Sequence, residues 1–150
     1  MSWDSLTAID IHTHAEVSCR IPPDPVSQAF EEHANAYFGI KDKRPTIDET
    51  VRYYRERNIG FVMFTVDSET GTGARRIPNE EIAEAAAANP DVMIAFASID
   101  PHKGKAGARE ARRLVEEFGV KGFKFHPPMQ DCHPYDPVAW PIYEVIAEYG

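Results

Sequence analysis

Residues Ala8-Ile9-Asp10-Ile11-His12-Thr13-His14-Ala15-Glu16 (AIDIHTHAE) read as an apolar strand that turns polar at its end and shows two histidines one residue apart. Side chains alternate along a strand, so His12 and His14 face one side, about 7 Å apart along the chain, with Asp10 expected on the same face beneath them. Two neutral imidazoles placed like this are good ligands for zinc or a similar divalent ion.

The same pattern of an apolar run followed by an amphipathic helix recurs four times. Strands are predicted at Leu6–His14, Ile59–Val66, Val92–Ile99 and Val120–His126. A long segment, 15–45, follows the first strand and carries its own helical piece near Gln28–Phe38. Thr46-Ile47-Asp48-Glu49 is a capping box that starts the next helix, with Ile47, Val51 and Tyr54 on one face. Asn79–Ala88 is predicted helical and stops before Asn89-Pro90. Lys105–Phe118 is predicted helical with Gly119 in the left-handed position after it. The last helix opens at Asp136-Pro137, turns regular only near Pro141, and carries Ile142, Val145, Ile146 and Tyr149 inward.

Near-continuous apolar strands alternating with amphipathic helices imply a parallel sheet covered by helices. The polar residues gather where strands end: His12 and His14, Asp67, Asp100 and His102, then Lys124 and His126. A doubly wound sheet places its ligand at one switch point, whereas every strand of a barrel contributes to the mouth. The expected fold class is therefore α/β, a (β/α)8 TIM-type barrel. These residues are its first four βα units, since such barrels usually run to about 250 residues. Half a barrel has two unpaired strand edges, so residues 1–150 are expected to be the N-terminal half of a longer chain, or a half that pairs with its own copy.

The 150 residues are 43% hydrophobic and 27% charged, enough for one domain with a real core. A net charge of −8 argues against nucleic acid or an anionic membrane as partner. A small-molecule substrate is expected, and a homo-oligomer is an open alternative. Cys19 and Cys132 are far apart, which fits a reducing cytoplasmic setting, and neither a secretory signal nor a membrane span is visible.

In Gly122-Phe123-Lys124-Phe125-His126 the phenylalanines are predicted to face the helices and Gly122, Lys124 and His126 the interior. A lysine aimed inward is costly unless paired or modified. It could bind a substrate carboxylate, hold a developing oxyanion or, as a carbamate, bridge two metals. His126 could ligate, transfer a proton or orient a ligand. Cys132-His133 with Cys19 matches no standard zinc spacing, and Gly71-Thr72-Gly73 before Arg75 and Arg76 reads as a loop rather than a nucleotide fingerprint.

The stretches DIHTHAE, FASIDPHKG and GVKGFKFHPP together resemble the amidohydrolase superfamily, and more narrowly its amidohydrolase-2 branch, the relatives of aminocarboxymuconate-semialdehyde decarboxylase. The resemblance covers nearly all of the chain except 15–45. It implies a metal-binding barrel in which His12 and His14 are the first-strand ligands, with further ligands and an aspartate on strands five to eight. It also implies that a carbamylated lysine on strand four belongs to other branches, so Lys124 is expected to be a free amine.

The leading functional expectation is a metal-dependent hydrolase in which activated water attacks a carbonyl of a small molecule, an aromatic or acyl carboxylate or thioester. The alternative is a non-oxidative decarboxylase of an aromatic or unsaturated acid. A third reading is a metal- or partner-binding domain with no chemistry. Zinc is the expected metal, with manganese second. Lys124 and His126 are the catalytic candidates. Arg20, Tyr37 and Phe38 of the long segment are the substrate-binding ones.

Overall fold

The computed structural model describes residues 3–41 and 43–150. Three parallel strands, β1 (Ala8–His14), β2 (Ile59–Phe64) and β3 (Met93–Ala95), stand in the order β1-β2-β3. Around them lie α1 (Pro25–Phe38), α2 (Ile47–Glu56), the one-turn α3 (Glu69–Thr72), α4 (Asn79–Ala88), α5 (Gly104–Glu116) and α6 (Trp140–Tyr149).

The apolar periodicity decides which face is covered. Phe61 and Met63 of β2 and Met93, Ala95 and Ala97 of the third run point to one side. There they pack with Ile47 and Val51 of α2, Ile82 of α4, Leu114 of α5 and Ile142 and Val145 of α6. The four framework helices thus share one face of the sheet. A doubly wound sheet would be covered on both faces. The expected capping box is present: Thr46 Oγ1 accepts from Glu49 N–H, and Glu49 Oε2 accepts from Thr46 N–H at 2.8 Å. Gly119 lies in the left-handed region at φ 67°, as the sequence predicts.

The third and fourth strands are shorter than their apolar runs. Asn79, at the start of α4, bonds both backbone groups of Ser98, its Oδ1 accepting from Ser98 N–H and its Nδ2 donating to Ser98 C=O, each at 2.9 Å. These side-chain bonds replace ladder bonds and end β3 early. The fourth run, 120–126, is not a continuous strand. It still lies parallel beside the third run through an Ala97–Phe123 bridge. Lys121 N–H donates to Ala95 C=O at 3.0 Å, Ala97 N–H to Gly122 C=O at 2.9 Å, and Lys124 N–H to Ala97 C=O at 2.7 Å. Two smaller expectations also change. The segment holding Gly71 forms α3, whose Thr70 N–H is held by Asp100 Oδ2 at 2.8 Å. Tyr149 is exposed, its hydroxyl paired with Glu116 and Arg112, while Ile142 and Val145 are buried.

Two predictions follow from these contacts. A Cβ on Gly122 would lie within 2.6 Å of three ring carbons of Phe96. Gly122→Ala should therefore lower unfolding free energy by about 1–3 kcal/mol in urea titration. Arg55 grips Asp91 with two bonds, Nε to Oδ2 at 3.0 Å and Nη2 to Oδ1 at 2.8 Å, and this hydrogen bonding holds the Asp91 carboxyl below the usual range. The pair is partly exposed, so Arg55→Met should cost only about 0.5–1 kcal/mol at neutral pH. A depressed folded-state value stabilises above the unfolded value of about 3.9, and the benefit is lost as pH falls through the folded one. The difference between wild type and Arg55→Met should shrink below about pH 4 and vanish in stronger acid.

Candidate metal centre

β1 does not alternate throughout. Its partners on β2 run Ala8–Ile59, Ile9–Gly60 and Asp10–Phe61, then resume at Thr13–Met63 and His14–Phe64. One extra residue sits between Asp10 and Thr13, a bulge. Asp10 and Thr13 both turn toward α2. There Tyr54 Oη donates to Asp10 Oδ2 at 2.6 Å and lies 3.4 Å from Thr13 Oγ1. Asp10 is therefore not beneath the histidines on their face, as strict alternation predicted. Its Oδ1 instead accepts the His12 N–H at 2.9 Å. Tyr54 first, then that N–H, hold the Asp10 carboxyl below the usual range.

His12 and His14 turn to the other face, over Phe64, with ring centroids 5.3 and 4.9 Å from it. The two imidazoles stack at 24° and their Nε2 atoms are 3.2 Å apart. Lys124 joins them, as its sequence position predicts: Nζ is 3.4 Å from His12 Nε2 and 4.9 Å from the Phe64 centroid. Phe123 and Phe125 pack against the helix-side core, with Phe125 edge-on to Tyr143. Burial, then the charges of His12, Lys124 and His126, push the His14 imidazole below its ordinary range. A neutral His14 is the form that ligates a metal.

The donor geometry fits a divalent ion. At metal–nitrogen distances of about 2.0–2.2 Å, an Nε2–Nε2 separation of 3.2 Å subtends about 95–105° at the ion, within the range of tetrahedral and octahedral shells. Among the described residues, no group of three or more His, Cys, Asp or Glu side chains converges on one point.

His126 is set by a residue that sequence reasoning missed. Gln130 is fully buried. Its Oε1 accepts from His126 N–H at 2.8 Å, and its Nε2 donates to Asp67 C=O at 2.8 Å. One amide thus ties the fourth run to the end of the second. The other strand-end groups are committed to structure. Asp67, fully buried, binds Arg76 Nη1 at 2.8 Å and Lys103 Nζ at 2.7 Å. Asp100 caps backbone N–H groups of Thr70 and His102, and His102 Nε2 lies 2.9 Å from Gln130 C=O.

Two cavities touch His14. One, of about 300 Å³, lies between the long segment and the loop after β2, bounded by Glu16, Glu31, Arg75 and Met129. The other, of about 620 Å³, is lined by His12, Glu16, Arg44 and Tyr54. Glu16 and Arg44 lie 3.9 Å apart at this cavity. Burial pushes the Glu16 carboxyl up, against the pull of Arg44. Arg20, Tyr37 and Phe38 line neither cavity. Arg20 pairs with Glu84 of α4, and Tyr37 and Phe38 pack edge-on against each other with exposures of 83% and 71%.

Gln130→Leu keeps the volume but leaves the His126 N–H and the Asp67 carbonyl unpaired. Each lost partner costs about 1–3 kcal/mol, so chemical denaturation should show a loss of about 3 kcal/mol.

A sequence model of the amidohydrolase family matches residues 9–150. The fold is similar to that of 5-carboxyvanillate decarboxylase from Sphingomonas paucimobilis, at 16% identity and a TM-score of 0.61, covering 93% of this chain and 48% of that one. The Novosphingobium aromaticivorans 5-carboxyvanillate decarboxylase, solved with manganese and 3-methoxy-4-hydroxy-5-nitrobenzoic acid, matches at 14% identity and 0.60, covering 96% and 48%. The 4-oxalomesaconate hydratase of Rhodopseudomonas palustris matches at 21% identity and 0.50, covering 93% and 49%. The chain spans about half the length of these structures, and likeness at such identity speaks to the fold. The family match runs from Ile9 to Gly150 through each element that carries the histidine–lysine cluster, and the chain belongs to the amidohydrolase-2 family.

Proposed function

We propose that these residues form the first half of a (β/α)8 barrel enzyme that holds a divalent metal at His12 and His14 and decarboxylates a small aromatic acid without oxidation. The observation that carries this reading is Lys124 Nζ, 3.4 Å from His12 Nε2, on the same point as two imidazoles. An ammonium beside a metal-binding pair suits an anionic substrate that meets both. Helices confined to one face of the sheet support the barrel. Two 5-carboxyvanillate decarboxylases with the same fold support the reaction, and the manganese in one of them supports manganese beside zinc as the metal.

In this reaction the bond from the ring carbon to its carboxylate breaks, carbon dioxide leaves and a proton takes its place. A bound divalent ion would supply Lewis-acid polarisation of the neighbouring substrate oxygen. Lys124 Nζ would pair with a substrate anion. His14, held neutral by burial, keeps its lone pair for the ion. His126 follows Lys124 on the fourth run, its backbone locked by Gln130. Arg44, in the cavity beside both histidines, is placed to take a second negative group. Arg20, tied to Glu84, and the Tyr37–Phe38 pair would reach the substrate only after the long segment rearranges.

Hydrolysis, in which water attacks a carbonyl and a leaving group departs, is the second reading; the hydratase of similar fold supports it only in that water is brought to the substrate. The full-length protein loaded with Mn²⁺ or Zn²⁺ separates the two when hydroxy- and methoxybenzoates are assayed for carbon dioxide release and esters and thioesters for hydrolysis. Carbon dioxide release supports the proposal. Hydrolysis alone supports the second reading, and metal binding without either turnover supports a non-catalytic domain. Lys124→Met should lower kcat/KM about 30- to 150-fold, the 2–3 kcal/mol of one charged hydrogen bond, with metal content unchanged. Metal loss in that variant would point to a carbamate ligand instead. His12→Ala and His14→Ala should each lower metal content and activity together.

A further inference from the structure

The bulge in β1 decides which face the histidines occupy. Had the register set by Ala8, Ile9 and Asp10 continued, Ile11 would oppose Val62 and His12 would oppose Met63. Met63 is a helix-side core residue, so His12, and His14 two places on, would point into the α2 layer. The extra residue between Asp10 and Thr13 turns both to the Phe64 face. A bulge disrupts the ladder locally and needs other bonds to hold it. Here they come from one carboxylate: Asp10 Oδ1 accepts the His12 N–H at 2.9 Å, and Oδ2 accepts Tyr54 Oη at 2.6 Å. Tyr54 also lies 3.4 Å from Thr13 Oγ1, on the far side of the bulge, and its ring stacks on Phe61 at 4.5 Å. The tyrosine on α2 thus touches both ends of the shifted segment.

We propose that Tyr54 is a positioning residue for the histidine pair: through Asp10 and Thr13 its hydroxyl holds the bulge that brings His12 and His14 to one point. The inference rests on reading that pair as the metal site. Tyr54 lines the larger cavity, but its hydroxyl is turned to Asp10 and Thr13. It acts through the strand, which makes the helix after the 15–45 segment part of the centre's alignment.

Tyr54→Phe in the full-length protein removes the hydroxyl and keeps the ring on Phe61. Titration with Co²⁺ should show affinity about 10- to 100-fold weaker than wild type, the usual cost of losing support behind a ligand, and an altered visible spectrum of the bound ion. The imidazole ¹⁵N signals of His12 and His14 in the metal-free protein should also move. Tyr53→Phe, on the same helix, should change neither. Should Tyr54→Phe fold poorly, Asp10→Asn weakens the same clamp and should shift both readouts in the same direction. Unchanged affinity, spectrum and imidazole signals in Tyr54→Phe would overturn the proposal. Failure of the wild type to bind Co²⁺ would overturn the metal reading instead, and the metal-free imidazole signals would still decide the role of Tyr54.

Discussion

One residue of slippage between Asp10 and Thr13 is the constraint on which the centre depends. β1 is short, and its first three pairs are regular. The histidines lie at the bulge, His12 within it and His14 just after it, where Thr13 and His14 resume pairing with Met63 and Phe64. A shift of one place exchanges the two faces of a strand, so the local geometry separates a carboxylate from two imidazoles that strict alternation would group together. This suits the chemistry. On the other face the carboxylate is bound by a tyrosine and a backbone N–H, so it stays outside the pair and braces the strand that carries it.

Ionisable groups at the strand ends divide into two kinds. Asp67 and Asp100 are fully buried and serve as braces: Asp67 between Arg76 and Lys103, Asp100 beneath two backbone N–H groups. A buried carboxylate is tolerable only when its charge is matched, and Asp67 meets this through Oδ2, which takes both cations while Oδ1 has no hydrogen-bond partner. These braces, with Gln130, knit the loops after β2, β3 and the fourth run into one surface. His12, His14 and Lys124 stand on that surface, partly open, and make few bonds except with one another. The braces hold the loops that carry the cluster, a division that favours preorganisation of the centre proposed there.

Much of this was legible from residue pattern, because the pattern reflects forces that act locally. The Thr46–Glu49 box, Gly119 after α5 and the alternation of Phe123-Lys124-Phe125 depend only on neighbours in sequence, and all three stand in the structure. The bulge was not legible, since it is settled by Tyr54, forty-four residues away from Asp10. Nor was the early end of β3, where Asn79 takes over the hydrogen bonds of Ser98. Gln130 sits in a short polar stretch that reads as a turn, and only its burial between Asp67 and His126 reveals its task. Residues of the 15–45 segment were the hardest to place. Arg20, for one, pairs with Glu84 of α4, a partner chosen by how the segment lies over the framework rather than by its own periodicity.

The charge on the molecule gives no guide to the charge at the centre. The chain carries a net −8, yet Lys124 stands at the histidines, and Arg44 and Arg75 line the cavities that touch His14. Arg44 is offset in part by Glu16, and Arg75 Nη2 donates to the uncharged carbonyl of Pro22. The same cavities are lined by Glu16, Asp24, Glu31 and Glu49, so the positive charge at the centre is local to Lys124 rather than a property of the cavity walls. The one ammonium nearest the imidazoles, Lys124, lies over the face of Phe64, which both histidines also contact edge-on. An aromatic face stabilises a cation without neutralising it. Phe64 therefore gives Lys124 an aromatic face at the point that the bulge has prepared, and it links the strand register on one side of the centre to the lysine on the other.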